Sequence, residues 1–349
     1  MKYYPWEETL SYNKRDNLVI SARSYGKTFG LRKQFLNDFR KRGWLFTEIV
    51  RTKEAIIPVA KKYFLKIQTA GIEPYNKWEF NYNFVERTMY ARKPGFEEWE
   101  EIGYIVALSE EQFLKQLTFP NGNKVMRFLL DEAIIERKDK YHKYMPNEWE
   151  TLNGVISTIT RETPENPSPA RRYYFGNAVD LTCPYFEYLG INKLPEDYGY
   201  HIYGNTLFHY VEPYAQEEYE AKTLTGSSLA GSSSGAKLFG NKFEADNQDF
   251  IKQKSKAAKF WKGFIYNGVS FGLWLDMKQA LVFVTSKIPN NELTYTFTLE
   301  DDTINYTLIK RSSMIVRQLS EFFYGKLYRY ETPMLREKFA DMLLALNAI

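Results

Sequence analysis

The chain has 349 residues, 47 Lys and Arg against 43 Asp and Glu, and a formal net charge of +4, so it is long enough for two cored domains, and any nucleic-acid footprint has to be local. Its single cysteine, Cys183, excludes an intrachain disulfide and a cysteine-based metal cluster and suits a reducing cytoplasm. No apolar run reaches the ~18 residues a membrane span requires, and Met1 to Leu10 lack the basic-then-apolar layout of a signal peptide, so a soluble intracellular protein is expected.

Trp6 and Tyr12 lie in an aromatic and polar lead-in where two readings stand: lining an adenine pocket, or packing under a sheet. The stretch from Asp16 to Thr28 then opens on a short apolar run that breaks into small and polar residues and reaches Gly26, Lys27 and Thr28. Beyond it, Phe29, Leu31, Phe35, Leu36 and Phe39 are spaced for a helix. Strand, loop and helix in that order predict a phosphate-binding loop, because a helix N-terminus offers free N–H groups and a positive dipole end. Ser21, Arg23, Ser24, Tyr25 and Gly26 would cradle ATP, Lys27 would reach its β- and γ-phosphates, and Thr28 would offer a hydroxyl to Mg²⁺. Ser21 occupies the position where the usual pattern has its first glycine, and serine is less free at positive φ, so a deviant loop geometry is expected. The rival reading is a chance Gly-Lys-Thr in an ordinary turn.

A helix over about 27–42 leads to a strand at 44–50. Arg51 and Lys53 follow at its end, either meeting phosphate, of nucleotide or of DNA, or opening a solvated helix. One helix over 54–69, a hairpin over 78–92 at the sheet margin and a strand at 102–108 come next. Ser109 opens a further helix with Glu110, Glu111 and Gln112 in its first turn and Lys115 riding on it. Val125 to Leu130 read as a buried parallel strand that delivers Asp131 and Glu132 to a sheet edge. Asp131 would hold Mg²⁺, directly or through water, and Glu132 would polarise the water that attacks the γ-phosphate. Either motif has an ordinary structural reading alone; together, in this order and at this distance, they predict an ATPase.

The run from Glu136 to Lys143, with Lys138 and Lys140, reads as a solvated face. A helix over 149–160 precedes Arg161 and a proline-rich loop. A strand at 171–175 then carries Asn177 at its tip, either as a γ-phosphate sensor or as a turn former. A strand pair over 200–211 completes the first domain. Gly226 to Gly235 form a Gly/Ser tract expected to be a flexible connection. Beyond it, strands at 259–266, 270–277, 280–286 and 294–299 and helices at 311–325 and 332–347 predict a small α+β domain compatible with an RNase H-like core. Lys252, Lys254, Lys256, Lys259 and Lys262 interleave with Phe260 and Trp261, which favours a nucleic-acid contact over a solvated edge.

The expected fold class is α/β: an ASCE-type P-loop ATPase domain with a mostly parallel central sheet at 1–212, a linker at 213–248, and an RNase H-like domain at 249–349, which the resemblance that follows implies to be a vestigial nuclease. The chain resembles the DNA-packaging ATPases, terminase-like motors, of small protein-primed short-tailed bacteriophages. The likeness rests on Leu10-Ser11-Tyr12, Ala22-Arg23, Asp131-Glu132, Tyr144 to Glu148, Asn177-Ala178, Pro184-Tyr185-Phe186, Ser255-Lys256, Ile265 to Gly268 and Trp274-Leu275-Asp276, in order and spacing. The resemblance implies translocation of double-stranded DNA into a procapsid, in the host cell cytoplasm, by a homomeric ring, expected to be pentameric, seated on the portal. It implies Arg161 as an arginine finger acting in a neighbouring subunit's site with Lys115 beside it, and Lys53 as a channel lysine against DNA. It also implies a last domain that contacts a packaging RNA and DNA. Asp276 stands where a first metal-binding acid would be, but Asp301 and Asp302 fall in an expected loop, so no nuclease activity is expected. The rivals are a terminase with an active nuclease and a non-hydrolysing scaffold on the portal.

Overall fold

Nine strands in the order β3-β4-β5-β2-β6-β7-β1-β9-β8 form the main sheet of the computed structural model. They are β1 (Asp16–Ile20), β2 (Leu45–Val50), β3 (Glu79–Asn83), β4 (Thr88–Arg92), β5 (Glu100–Ala107), β6 (Val125–Leu130), β7 (Arg171–Gly176), β8 (Gly199–Tyr203) and β9 (Thr206–Tyr210). The structure describes residues 4–22, 25–135, 144–145, 147–177, 183–191, 195, 197–213, 221–232, 241 and 250–349. Two compact units divide the chain: Met1–Asp180, Tyr188–Ile191 and Pro195–Glu244 form the first, and Leu181–Glu187, Asn192–Leu194 and Ala245–Ile349 the second.

The six central strands of the first unit, β5-β2-β6-β7-β1-β9, are parallel; the β3–β4 hairpin and β8 add antiparallel margins. All five residues of β1 are buried, as a parallel strand covered on both faces requires. Asp16 and Arg172 are register partners on β1 and β7 and form an ion pair at 2.6 Å, so the charge at this strand start has its counter-charge in the next strand. Among the helices are α1 (Trp6–Ser11), α2 (Lys27–Arg42), α3 (Lys53–Lys62), α4 (Leu65–Thr69), α5 (Glu111–Leu114) and α6 (Glu148–Thr160). Helix α2 buries Leu31, Phe35, Leu36 and Phe39 and stops at Gly43, whose φ of 66° lets its N–H reach the carbonyl of Phe39 at 2.8 Å.

Three local expectations fail for identifiable reasons. The helix expected over 54–69 is broken between α3 and α4, because Tyr63 and Phe64 turn inward, Tyr63 onto Phe46 and Phe64 onto Phe80. The helix after Ser109 is only a 3-10 turn followed by α5. Glu110 does not cap it; its carboxylate accepts a bidentate pair from Arg87 inside the core, at 2.7 and 2.9 Å. Part of the expected flexible Gly/Ser tract is a helix, Leu224–Leu229, capped by the Thr223 hydroxyl, which accepts from the N–H of Gly226.

The second unit has a six-stranded sheet in the order β14-β13-β10-β11-β12-β15. The strands are β10 (Lys259–Tyr266), β11 (Val269–Asp276), β12 (Leu281–Thr285), β13 (Thr294–Thr296), β14 (Thr307–Leu308) and β15 (Tyr328–Tyr330). Strands β10, β11 and β12 run antiparallel, while β13 lies parallel to β10 and β14 parallel to β13. Three meandering strands with two parallel ones added on the first is the RNase H-like arrangement. Strand β15 extends it beside β12. Phe271, Leu273 and Val284 on the strands and Phe339, Met342 and Leu343 on the last helix form its core.

Candidate functional site

The loop between β1 and α2 lies at the carboxyl edge of the parallel sheet, where open α/β folds bind ligands. Gly26 precedes the helix in the left-handed region, at φ 69°, and Lys27 is the first helical residue. Ser21 is not in that region: its N–H bonds the carbonyl of Gly176, and its hydroxyl donates to the carbonyl of Ala22. The expected backbone difficulty at Ser21 does not arise, because the chain turns without demanding a positive φ there. The hydroxyl instead accepts a bond from Nζ of Lys27 at 3.0 Å. Arg23 and Ser24 lie outside the described residues. Tyr25 donates its hydroxyl to the carbonyl of Glu212 just beyond β9.

Strands β6 and β7 bring the other groups to the same edge. Asn177, directly after β7, accepts from Nζ of Lys27 at 3.3 Å through Oδ1. Asp131, directly after β6, accepts the hydroxyl of Thr28 at 2.9 Å through Oδ2 and the N–H of Glu132 through Oδ1. Lys27, Thr28, Asp131, Asn177 and Ser21 thus meet at one edge of the sheet, beside the ends of three adjacent strands. Glu132 is exposed, with a left-handed φ of 56°.

Arg51 is not turned to phosphate, one of its two expected readings. Its guanidinium donates to the carbonyls of Glu132 and Ala133 and to the Glu148 carboxylate at 3.1 and 3.2 Å. Glu148 opens α6, is buried, and also accepts the N–H of Met145. Sequence reasoning missed this bracket on the Glu132 backbone, since its parts lie 81 and 97 residues apart. A second buried pair, Arg32 with Glu48, sits one turn into α2; burial pushes the Glu48 carboxyl up and Arg32 opposes it.

Arg161 follows α6 at φ 48°, is exposed, and has no ion-pair partner among the described residues. Lys115 follows α5 and pairs with Glu111 at 2.8 Å. The two elements touch, with Gly154 of α6 against the Glu111 carboxylate. Lys53 opens α3, two-thirds exposed, with Nζ 3.5 Å from Glu110. Lys138 and Lys140 lie outside the described residues. Trp6 packs under the sheet against Tyr173 and Phe175 while its indole N–H bonds the carbonyl of Lys27; Tyr12 makes a tilted ring contact with Tyr200.

In the second unit, Asp276 at the end of β11 accepts from the Ser255 hydroxyl and from the N–H groups of Lys278 and Gln279. These bonds hold its carboxyl below the usual carboxylate range. Asp301 caps the Asn267-Gly268 hairpin by accepting both N–H groups at 2.8 Å. Lys254 lies over Trp274 at 4.3 Å, and Lys262 over Tyr295 at 5.3 Å. Among the described residues no three His, Cys, Asp or Glu side chains gather to hold a metal, and no helix is long and apolar enough to cross a membrane.

Strand β7 inserted between β1 and β6, a Lys-Thr loop after β1 and an acid pair after β6 define an ASCE-type P-loop ATPase fold. Residues 1–344 match the Podovirus DNA encapsidation protein (Gp16) family, and the chain belongs to it. It is 27% identical over 339 residues to the DNA packaging protein of Bacillus phage phi29, covering 96% of this chain and 95% of that one. It is 28% identical over 335 residues to the DNA packaging protein of Bacillus phage B103, covering 94% and 96%. Its fold is similar to a chain of the bacteriophage Phi-29 viral genome packaging motor assembly, with a TM-score of 0.69 at 24% identity over 99% of this chain and 100% of that one.

Proposed function

We propose that this DNA encapsidation protein is an ATP-hydrolysing translocase that drives double-stranded DNA into a preformed procapsid. The observation that carries the reading is the meeting of Lys27, Thr28, Asp131 and Asn177 at the tips of β1, β6 and β7. Backbone N–H groups at the start of α2 receive the phosphate chain, and Lys27 exchanges Ser21 and Asn177 for phosphate oxygens. Asn177 holds the γ-phosphate end, and Glu132 orients the attacking water and takes its proton. A hydroxyl and a carboxylate 2.9 Å apart form an oxygen-only donor set that fits a hard divalent cation. Thr28 and Asp131 would hold Mg²⁺, which when bound offsets phosphate charge.

The relatives' packaging roles support a homomeric ring, pentameric in this proposal, that works on the portal in the host cytoplasm with a packaging RNA. In that ring Arg161 completes the neighbouring subunit's site with Lys115 beside it, and Lys53, Lys138 and Lys140 face DNA. The second unit binds nucleic acid without cutting it, since Asp276 and Asp301 spend their oxygens on turns. Phosphate release measured with double-stranded DNA tests the central claim. Glu132→Gln should lower turnover by about 10²- to 10⁴-fold while nucleotide still binds; an unchanged rate would overturn it. Cutting of plasmid in Mn²⁺ that disappears in Asp276→Ala would instead establish an active nuclease.

A further inference from the structure

Asn241 lies at the end of a Gly/Ser-rich stretch, yet it is fully buried, with a left-handed φ of 46° that asparagine tolerates better than most residues. Its Nδ2 donates to two carbonyls at once, those of Ile20 at 3.0 Å and Val211 at 2.7 Å. Its own carbonyl accepts the Tyr210 hydroxyl at 2.7 Å. Ile20 is the last residue of β1, immediately before the phosphate loop, and Val211 directly follows β9. The N–H of Val211 also bonds Ile20, at 2.9 Å. The other end of the loop is fastened to the same place, where Tyr25 reaches the carbonyl of Glu212 at 3.1 Å. One amide therefore bridges the end of β1, where the loop begins, and the residue after β9, next to the Glu212 carbonyl that Tyr25 reaches, and both of its N–H groups are committed to buried acceptors.

We propose that Asn241 is a positioning residue for nucleotide binding: a latch by which the chain approaching the second compact unit fixes the ends of β1 and β9 and with them the phosphate loop. The second unit's chain resumes at Ala245. A latch that favours the nucleotide-ready loop is itself favoured by nucleotide to the same factor, so occupancy of the loop and attachment of this connection form one coupled equilibrium. No residue here touches phosphate; the effect acts through the backbone of Ile20 and Val211. The inference rests on the phosphate-loop reading of residues 21–28.

The full-length protein tests it, with a fluorescent ATP analogue as the binding probe and ATPγS as the ligand in hydrogen-exchange measurements. Asn241→Ala should weaken binding about tenfold through the loss of two bonds to buried carbonyls. The KM for ATP should rise, with kcat at saturation changing less than about twofold, as expected when binding rather than chemistry is lost. In the wild type ATPγS should slow hydrogen exchange at the Val211 amide, which bonds Ile20; in Asn241→Ala that protection should vanish. Tyr210→Phe, which loosens the anchor without touching the loop, should shift affinity in the same direction by a smaller factor, and it decides the matter if Asn241→Ala does not fold. Wild-type binding and protection retained unchanged in the variants would overturn the latch alone. Failure of the wild type to bind while Lys27→Ala behaves identically would overturn the phosphate-loop reading and the latch together.

Discussion

Arg161 ends its helix in a left-handed turn, which costs free energy for a residue with a Cβ, and its guanidinium pairs with no acid among the described residues. If it completes a neighbour's site, Arg161→Ala should lower the ATPase rate of assembled rings by about 10³- to 10⁵-fold. Mixing it with Lys27→Ala subunits should restore part of the rate, since each variant supplies what the other lacks; no restoration in any mixing ratio would mean that Arg161 acts within its own subunit. His209 on β9 shows a different residue-scale effect. Burial, with a smaller contribution from His201, lowers its pKa from 6.5 to about 4, while its Nδ1 lies 2.7 Å from the Tyr4 hydroxyl. The unfolded chain takes up this proton before the folded one does, so stability is lost as pH falls from about 6.5 to about 4, by about 3 kcal/mol in all. Denaturant titrations across that window should show the slope, and His209→Gln should flatten it.

At the scale of elements, the Arg51–Glu148 pair ties the end of β2 to the start of α6 while Arg51 also holds the carbonyls after β6. Arg51→Ala strands the buried Glu148 carboxylate and should cost about 3 kcal/mol. Adding Glu148→Gln should recover part of that loss, and strictly additive losses would show that the two side chains do not interact. This bracket was not legible in the sequence, whereas β1, α2 and β6 were, because their signals are continuous: the apolar run Leu18–Ile20, a helical stripe, an apolar run ending in acids. The inward turn at Tyr63 and Phe64 depends on partners in other elements, and a helical period gives no sign of it. Strands β14 and β15, at two and three residues, are too short to show any period. Asn241 was hidden for the opposite reason: Gly/Ser composition signals freedom, and three long-range bonds override it.

Across the whole molecule, the formal charge of +4 leaves DNA affinity to particular lysines. Lys254 beside Trp274 and the exposed Lys259 present charge and ring together. Replacing both with alanine should weaken DNA binding and reduce the slope of log affinity against log salt by about two, one for each phosphate that is no longer neutralised; an unchanged slope would remove them from the interface. The sheet order that places the cradle also fixes when it can exist. The ladder partners of β1 are β7 and β9, at Arg171–Gly176 and Thr206–Tyr210, so the strand synthesised first waits for chain made roughly 150 and 190 residues later. Until then the apolar stretch Leu18–Ile20 lacks both of its ladder partners, and the proposed nucleotide cradle is incomplete. A nascent polypeptide must therefore reach Tyr210 before ligand can begin to stabilise it, which makes the interval before that residue the period of greatest exposure to misassembly.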